Sequence, residues 1–196
     1  YDRTHMRMPA YQNRLIEEIA AVQPNTIVVL HNGAPVEMPW AEQVKGILES
    51  YLGGEAVGEA QTDILFGAVS PSGKLSESFP EKLEDNPSYL FYGDGTDKAE
   101  YREGIFVGYR YYDKKMMNVR FPFGHGLSYA SFAYSGLKLD RTKLRGKQTL
   151  QVCAQIKNTG AIPAAEVVQL YIRPHDTRAI RPLRELKGFE KVMLEP

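Results

Sequence analysis

An aromatic, glycine-rich stretch near the middle of the chain decides how the rest must be arranged. Residues 101–113 read YREGIFVGYRYYD, and residues 121–132 read FPFGHGLSYASF. Aromatic rings bring large apolar areas, and glycines let backbones turn sharply or pack closely. Pro122, Gly124 and Gly126 disfavour a continuous helix or a central strand in the second run. We therefore predict a junction between two modules, and its side chains expected to be buried by both are Phe121, Phe123, Leu127, Tyr129 and Phe132.

The chain before this junction alternates helical and strand patterns. Pro9 lies near the start of an amphipathic helix that runs to about Val22, and residues 55–66 form a second helical pattern. Residues 26–30 are apolar or β-branched throughout, which is typical of a strand buried on both faces of a parallel sheet. Residues 46–52 have a second strand pattern. This alternation predicts a parallel sheet with helices on its faces.

The chain after the junction has the period of two that is typical of antiparallel strands. Apolar and polar side chains alternate over residues 150–157, 168–172 and 186–194. A polar face on each strand favours a β-sandwich. We count about four or five strands, fewer than the ~7 of an immunoglobulin-like sandwich, so we expect this module to be truncated.

Composition and charge exclude several classes of function. The 196 residues are 43% hydrophobic and 24% charged, with a formal net charge of zero. Without a basic excess, we expect no nucleic-acid partner and no membrane partner. The longest apolar run is about five residues, against the ~20 that span a bilayer. The single cysteine, Cys153, excludes an internal disulfide, and we expect no metal and no cofactor. The compartment stays open between secretion and the cytoplasm, with a bacterial-type cytoplasm favoured.

Short motifs in three regions of the chain occur together in one known family. The central motifs are EGIFVGYRYYD at 103–113 and FPFGHGLSY at 121–129. Upstream are VVL at 28–30 with NG at 32–33, PW at 39–40, ILFG at 64–67, PSGKL at 71–75 and FP at 79–80. Downstream are NTG at 158–160, EVVQLY at 166–171 and RELKGFEK at 184–191. In this order, the motifs resemble the C-terminal half of glycoside hydrolase family 3, the β-glucosidase family.

The resemblance implies a parent enzyme of three domains, which are a barrel, an α/β sandwich and a fibronectin type III-like module. The implied fold class is α/β, with part of a parallel-sheet α/β sandwich followed by a partial fibronectin type III-like β-sandwich. Residues 1–128 are expected to be the C-terminal half of the sandwich domain. Residues 129–196 are expected to be the truncated β-module.

The resemblance also implies a function for the whole enzyme. It would be a retaining, exo-acting β-glucosidase-type hydrolase that cleaves O-glycosidic bonds of β-linked glucosides or oligosaccharides. In this family the barrel supplies the nucleophilic Asp, and the acid/base Glu precedes an Asp-Arg pair by a couple of residues. That Glu would lie just before Tyr1, so we expect no catalytic residue in this chain and no activity of the chain alone. Asp2 and Arg3 would support the acid/base loop, unless they are simply an exposed pair.

A rival interpretation comes from a different class of function. The chain could be a non-catalytic carbohydrate-binding or interaction module built on its β-part. The presence of ~300 or more upstream residues with barrel-type alternation would separate this interpretation from the glycosidase. The sequence leaves a homo-oligomer open in either case.

Four further carboxylates are candidates because a retaining glycosidase needs two carboxyl groups about 5–5.5 Å apart. They are Glu37, Glu55, Glu59 and Glu103. Glu55 is expected at a helix N-terminus, where the helix dipole stabilises a carboxylate, and Glu59 is expected in solvent one turn later. Glu103 is expected to pair with the neighbouring Arg102. Structural roles are favoured for all of them.

The histidines and the aromatic residues of one loop give weaker signals. His31 follows a predicted strand at its carboxyl end, where α/β folds bind ligands. Neither His31 nor His125 has a second ligand at metal spacing, which favours hydrogen-bonding roles. Residues 79–99 lack periodicity and are predicted to be a long loop. Its aromatic side chains could stack on sugar rings, although packing is favoured; they are Tyr89, Phe91 and Tyr92.

Overall fold

The structure of the chain is a computed structural model that describes residues 4–93, 98, 100–175 and 178–196. Three helices and six strands occur in this part of the chain. The helices are α1 (Ala10–Val22), α2 (Val57–Leu65) and α3 (Tyr109–Lys115). The strands are β1 (Ile27–Leu30), β2 (Gly46–Glu49), β3 (Phe132–Leu139), β4 (Val152–Asn158), β5 (Ala164–Ile172) and β6 (Glu185–Leu194).

The first unit is built on a two-stranded parallel sheet. β1 pairs with β2 in a register that places Ile27 opposite Gly46 and Leu30 opposite Glu49. The prediction that β1 is buried on both faces is wrong. Leu30 is buried, but Ile27 is 51% exposed. Only one neighbouring strand is paired with β1 in the described chain, so its amino end lacks cover.

A small apolar core fixes the loop that follows β1. Trp40 and Phe79 are fully buried and pack with Leu30, Val36 and Met38. The Trp40 indole also donates a 2.9 Å hydrogen bond to Asn13 Oδ1 on α1. This bond satisfies the one polar group of the buried ring and ties α1 to the loop.

The predicted long loop after Phe79 contains one short 3₁₀ turn, Leu83–Asp85, among its described residues. The backbone of Phe79 pairs with that of Phe121 in an isolated antiparallel bridge. This bridge brings the second aromatic run of the junction back onto the core of the first unit.

The second unit consists of two antiparallel strand pairs. β3 pairs with β4, and β5 pairs with β6. A bulge interrupts the first pair between Ser135 and Lys138, where Gly136 has a φ of +61°. Asn158 at the end of β4 is buried, and its amide donates to the backbone oxygens of Ile162 and Leu194. This side chain therefore links the two strand pairs.

The junction is only partly as predicted. Phe121, Phe123 and Phe132 are half-buried, but Leu127 is 76% exposed and Tyr129 is 53% exposed. At Leu127 and Tyr129 the prediction of burial is wrong. The physical reason is that glycine backbone makes the close contacts here, since a Cβ on Gly126 would lie 2.2 Å from the Gly73 oxygen. Tight backbone packing leaves the neighbouring side chains pointing away from the contact.

Helix α3 was not predicted, and it provides the other half of the junction. Its first residue, Tyr109, stacks on Phe123 at a centroid distance of 4.8 Å and meets the ring of Tyr171 edge-on. The Tyr109 hydroxyl accepts a 2.8 Å hydrogen bond from the Leu186 N–H of β6. Asp113 of α3 forms an ion pair with Arg184 over 2.7 Å. Helix α3 therefore holds the strand pair β5–β6 against the first unit.

No helix among the described residues has the length and apolar character needed to cross a membrane.

Candidate functional site

The carboxyl ends of β1 and β2 bring together polar side chains that are distant in sequence. The strands are parallel, so the residue after β1 lies beside the last residue of β2. Asn32 donates from its amide nitrogen to Glu49 Oε2 and to the Ala34 oxygen, each over 2.9 Å. Glu49 Oε1 accepts a 2.8 Å bond from the Tyr51 N–H. Both carboxylate oxygens of Glu49 are thus engaged by the protein.

Two opposing effects act on the pKa of Glu49. Burial raises the pKa of the carboxyl group, while the hydrogen bonds from Tyr51 and Asn32 and the nearby His31 act to lower it. The net direction is upward. Because one oxygen accepts a bond from Asn32 and the other from Tyr51, Glu49 fixes the two strand ends relative to each other.

Helix α2 is tied to the same strand ends. The Gln61 amide nitrogen donates 2.9 Å to the Ser50 hydroxyl and lies 2.6 Å from His31 Nε2. His31 Nε2 accepts this bond when the ring proton is on Nδ1. This is the hydrogen-bonding role predicted for His31.

The residue after this cluster has an unusual backbone conformation. Tyr51 has a φ of +48°, a region that costs free energy for a residue with a side chain. Its ring packs edge-on against the buried Phe79 at 6.5 Å between centroids. Positive φ values outside glycine concentrate at functional sites, where the surrounding structure holds them.

The N-terminal segment is anchored beside this site. Met6 is buried, and its backbone oxygen accepts a 2.9 Å bond from the Glu37 N–H. Met8 packs against the apolar core that contains Val36. The first described residues are therefore held against the loop that follows β1. Asp2 and Arg3, the predicted supports of the acid/base loop, lie outside the described residues.

The polar side chains at the ends of β1 and β2 form what we call the strand-end cluster, which consists of His31, Asn32, Glu49, Ser50 and Gln61. No described contact links the other candidate carboxylates to it. Glu55 is exposed and precedes α2, which begins at Val57, so the predicted helix N-terminus lies two residues further on. Glu59 lies in the first turn of α2 and is exposed, as expected. Glu37 is half-buried, and the contact described for it is made by its backbone.

The expected pairing of Glu103 with Arg102 is wrong. Arg102 pairs with Glu100, and its guanidinium lies over the ring of Phe91 at 4.6 Å. Glu103 is half-buried, and its Oε2 is shielded from solvent without a hydrogen-bond partner among the described residues. The side chain of Arg102 turns toward the loop instead, because Phe91 offers an aromatic face to its cation.

The remaining aromatic candidates differ in exposure. Phe91 is half-buried under Arg102, whereas Tyr89 and Tyr92 are exposed. His125 stacks on Phe121 with ring centroids 5.3 Å apart. Burial and the positive charge of Lys74 lower the pKa of His125. No group of three metal-ligating side chains occurs among the residues that the structure describes.

A second polar cluster lies at the junction, and the sequence did not reveal it. Lys74 Nζ is 3.1 Å from Glu166 Oε2, and these side chains are only 14% and 13% exposed. Lys74 also donates 2.7 Å to the Gly126 oxygen, and the Tyr134 hydroxyl donates 2.9 Å to Glu166 Oε1. Tyr134 is 51% exposed, so its burial is partial. That partial burial, this hydrogen bond and the charge of Glu166 raise the pKa of Tyr134 to about 12.

Sequence reasoning therefore missed Glu49, Gln61, Lys74 and Glu166. The available signals were weak. Glu49 ends a strand pattern, and Lys74 and Glu166 stand within quoted motifs, but nothing in either motif indicates its partner. Only the folded chain shows which of these charges are neighbours.

Comparison with known proteins agrees with this architecture. The sequence profile described as the glycosyl hydrolase family 3 C-terminal domain matches residues 1–129. The profile of the fibronectin type III-like domain matches residues 166–196. An α/β unit followed by a fibronectin type III-like region is thus supported by both fold and sequence. The chain belongs to glycosyl hydrolase family 3, whose C-terminal domain covers most of its length.

Named relatives match along the whole chain. Thermostable beta-glucosidase B of Acetivibrio thermocellus is 54% identical over 196 residues, which are 100% of this chain and 26% of that protein. The crystal structure of a Bifidobacterium adolescentis GH3 beta-glucosidase has a TM-score of 0.93 at 46% identity, covering 100% of this chain and 29% of that one. A Kluyveromyces marxianus beta-glucosidase in complex with glucose also has a TM-score of 0.93, at 42% identity over 100% and 23% of the two chains. The chain thus spans about a quarter of the length of these relatives.

Proposed function

We propose that this chain is the C-terminal part of a retaining, exo-acting β-glucosidase-type glycoside hydrolase. The protein would hydrolyse O-glycosidic bonds of β-linked glucosides or oligosaccharides. The observation that carries this proposal is the 54% identity, across the entire chain, with a protein named thermostable beta-glucosidase B. The relatives with solved structures also bear the name beta-glucosidase.

The chemistry assigns the chain a supporting part in catalysis. Retention requires a nucleophilic carboxylate and an acid/base carboxyl group on either side of the scissile bond. Both would be supplied by polypeptide outside residues 1–196, with the acid/base group just before Tyr1. Asp2 and Arg3 would orient the loop that carries it. The anchoring of Met6 against the loop after β1 supports this role, because it fixes the segment that follows.

The strand-end cluster would make that support rigid. Glu49 links β1 to β2, and Gln61 links both strands to α2. A catalytic group misplaced by about 1 Å can lose about 10²-fold in rate, so a stiff platform beside the acid/base loop has a clear use.

An activity assay tests this proposal. The 196-residue chain alone should not hydrolyse an aryl β-glucoside above the buffer rate, whereas the natural full-length protein should. In the full-length protein, Asp2→Asn and Arg3→Gln should lower kcat more than they raise KM, because they would disturb the acid/base group and not sugar binding. Arg7→Gln, at a nearby exposed position, is the matched control.

Two results would contradict the proposal. Turnover by the 196-residue chain that disappears when one of its own carboxylates is replaced would place the catalytic groups inside it. A full-length protein that binds β-glucosides without hydrolysing them would support the alternative of a non-catalytic carbohydrate-binding module.

We further infer that the chain divides into residues 1–128 and 129–196. The start of β3 at Phe132 and the buried Ala130 support a boundary at this point. Hydrogen exchange measured by peptide mass spectrometry should then detect two units of different protection. A single opening step shared by peptides on both sides of residue 129 would contradict the division.

A further inference from the structure

A cationic pocket lies between the end of α3 and the connection from β5 to β6. Its volume is about 370 Å³, and its lining includes four exposed cationic residues, the exposed Ile180 and the buried Pro182. The cations are Lys114, Arg173, Arg178 and Arg181. A cavity of about 290 Å³ adjoins it and shares Arg173 and Leu183 with it.

Asp113 is the carboxylate that lines these cavities among the described residues, and its charge is already paired with Arg184. Asp113 lines the smaller cavity, and Arg184 engages both of its oxygens, with Nε 2.7 Å from Oδ2 and Nη2 3.4 Å from Oδ1. The Arg184 guanidinium also lies over the ring of Tyr171 at 5.0 Å. Asp113 is therefore not available to balance the charges of the larger pocket.

None of the four cations forms a close ion pair with a described carboxylate, although the charge of Arg181 contributes to lowering the pKa of Glu185. The ion pairs described near the pocket involve other side chains, namely Arg110, Arg184 and Lys187. The neighbouring Lys115 differs, since it contacts the hydroxyl and the ring of Tyr111.

Four cations around one depression produce a positive surface potential. All four residues are exposed, so solvent and salt screen their mutual repulsion, but the potential at the depression stays positive. The same field attracts a ligand with several anionic oxygens. Guanidinium groups match phosphate oxygens in bidentate geometry, and a lysine adds a mobile point charge.

We propose that this pocket binds a phosphate group, carried either by inorganic phosphate or by a phosphorylated sugar. The volume lies within the range of small-molecule sites, and the exposed Ile180 supplies apolar surface for the face of a sugar ring. The site is separate from the strand-end cluster, so the inference does not depend on the proposed glycosidase activity.

Isothermal titration of the natural full-length protein at constant ionic strength tests the inference. Inorganic phosphate and glucose 6-phosphate are the probes. Both should bind with one-to-one stoichiometry, and their affinity should fall as salt is added. Tighter binding of glucose 6-phosphate would identify a phosphorylated sugar as the ligand, and equal affinities would identify free phosphate.

Paired variants locate the site. Arg178→Gln combined with Arg181→Gln should weaken binding of both probes about tenfold or more, because two charge-assisted contacts are lost. Arg14→Gln combined with Arg141→Gln removes the same net charge elsewhere and should leave the affinity unchanged. Failure of both probes to bind would overturn the inference, as would equal weakening in the two double variants.

Discussion

Lys74 carries one of the ion pairs that join the two units. Its ammonium group contacts Glu166 and the Gly126 oxygen, so a loop of the first unit, the junction and β5 meet at one atom. Both side chains of the pair are largely withdrawn from solvent. A buried pair is costly to assemble, but removing one partner is costlier because the other charge stays buried.

Lys74→Met should therefore destabilise the protein by about 3 kcal/mol, near the lower end of values for breaking a buried pair. The measurement is the free energy of unfolding in denaturant. Arg14→Met is the control, since the Arg14–Glu18 pair on α1 is exposed and should contribute at most about 0.5 kcal/mol. Equal stabilities of the two variants would show that the junction pair is energetically no different from a surface pair.

Tyr134 should make the junction sensitive to alkali. Its pKa is about 12 in the folded protein, against an ordinary value of 10.0. A raised folded pKa means that the stabilisation is complete below pH 10 and is lost as the pH rises toward 12, since the unfolded chain releases its proton first. Ultraviolet difference spectroscopy should show one fewer late-titrating phenol in Tyr134→Phe.

The control for this titration is Tyr112. It is buried, and its pKa is also raised to about 12, chiefly by burial. The late-titrating phenol of Tyr112 should therefore remain in Tyr134→Phe. If Tyr134→Phe changes only the titration near pH 10, the hydroxyl of Tyr134 does not sense Glu166 in the way the structure indicates.

At the scale of elements, the junction depends on backbone contact more than on side-chain burial. Gly124 has a φ of +79°, and its oxygen accepts a 3.1 Å bond from the Gln169 amide on β5. Gly126 lies against the backbone of Gly73. The glycines thus bring the junction against a loop of the first unit on one side and a strand of the second unit on the other.

Gly126→Ala should cost about 1–3 kcal/mol of stability, because its Cβ would overlap the Gly73 oxygen and one backbone must shift. Gly58→Ala is the matched control within α2. It has no neighbouring atom within 4 Å, so it should stabilise the helix by about 0.5–1 kcal/mol. Denaturant midpoints of the two variants check both signs. A neutral Gly126→Ala would mean that the junction is looser than described.

At the scale of the whole molecule, the described chain has a large uncovered apolar surface. Val22 and Phe66 are exposed on the first unit, and Phe189 and Met193 are exposed on β6. Each of the three described sheets has only two strands, so every strand has an unpaired edge within the described chain. Both features favour association with other polypeptide.

The 196-residue chain, produced alone, should therefore self-associate, and sedimentation velocity measures this directly. Val22→Lys with Phe189→Lys should reduce the association, because charges on exposed apolar positions oppose it. Glu55→Lys with Lys191→Glu, at exposed polar positions, should not. A monomer with one sharp melting transition above about 60 °C, the upper range for mesophile domains, would contradict this expectation.

The sequence alone determined the local elements, because their periodicity is a property of neighbouring residues. The spacing of Leu15, Ile16 and Ile19 predicted α1 to within a residue or so of its observed bounds, and alternation predicted the cores of β4, β5 and β6. The family motifs gave the class of fold. Together they also indicated a connection at residues 101–132.

The tertiary structure decided which of those residues meet and how deeply they are buried. Helix α3 had no sequence signal, since the contacts of its first residue, Tyr109, with Phe123 and β6 exist only in the folded chain. Leu127 and Tyr129 looked like core residues but are exposed, because glycine backbone occupies the contact. Lys74 pairs with Glu166, and Asn32 donates a hydrogen bond to Glu49, although the partners are distant in sequence. Periodicity cannot encode such pairs, since their free energy exists only once the elements have packed.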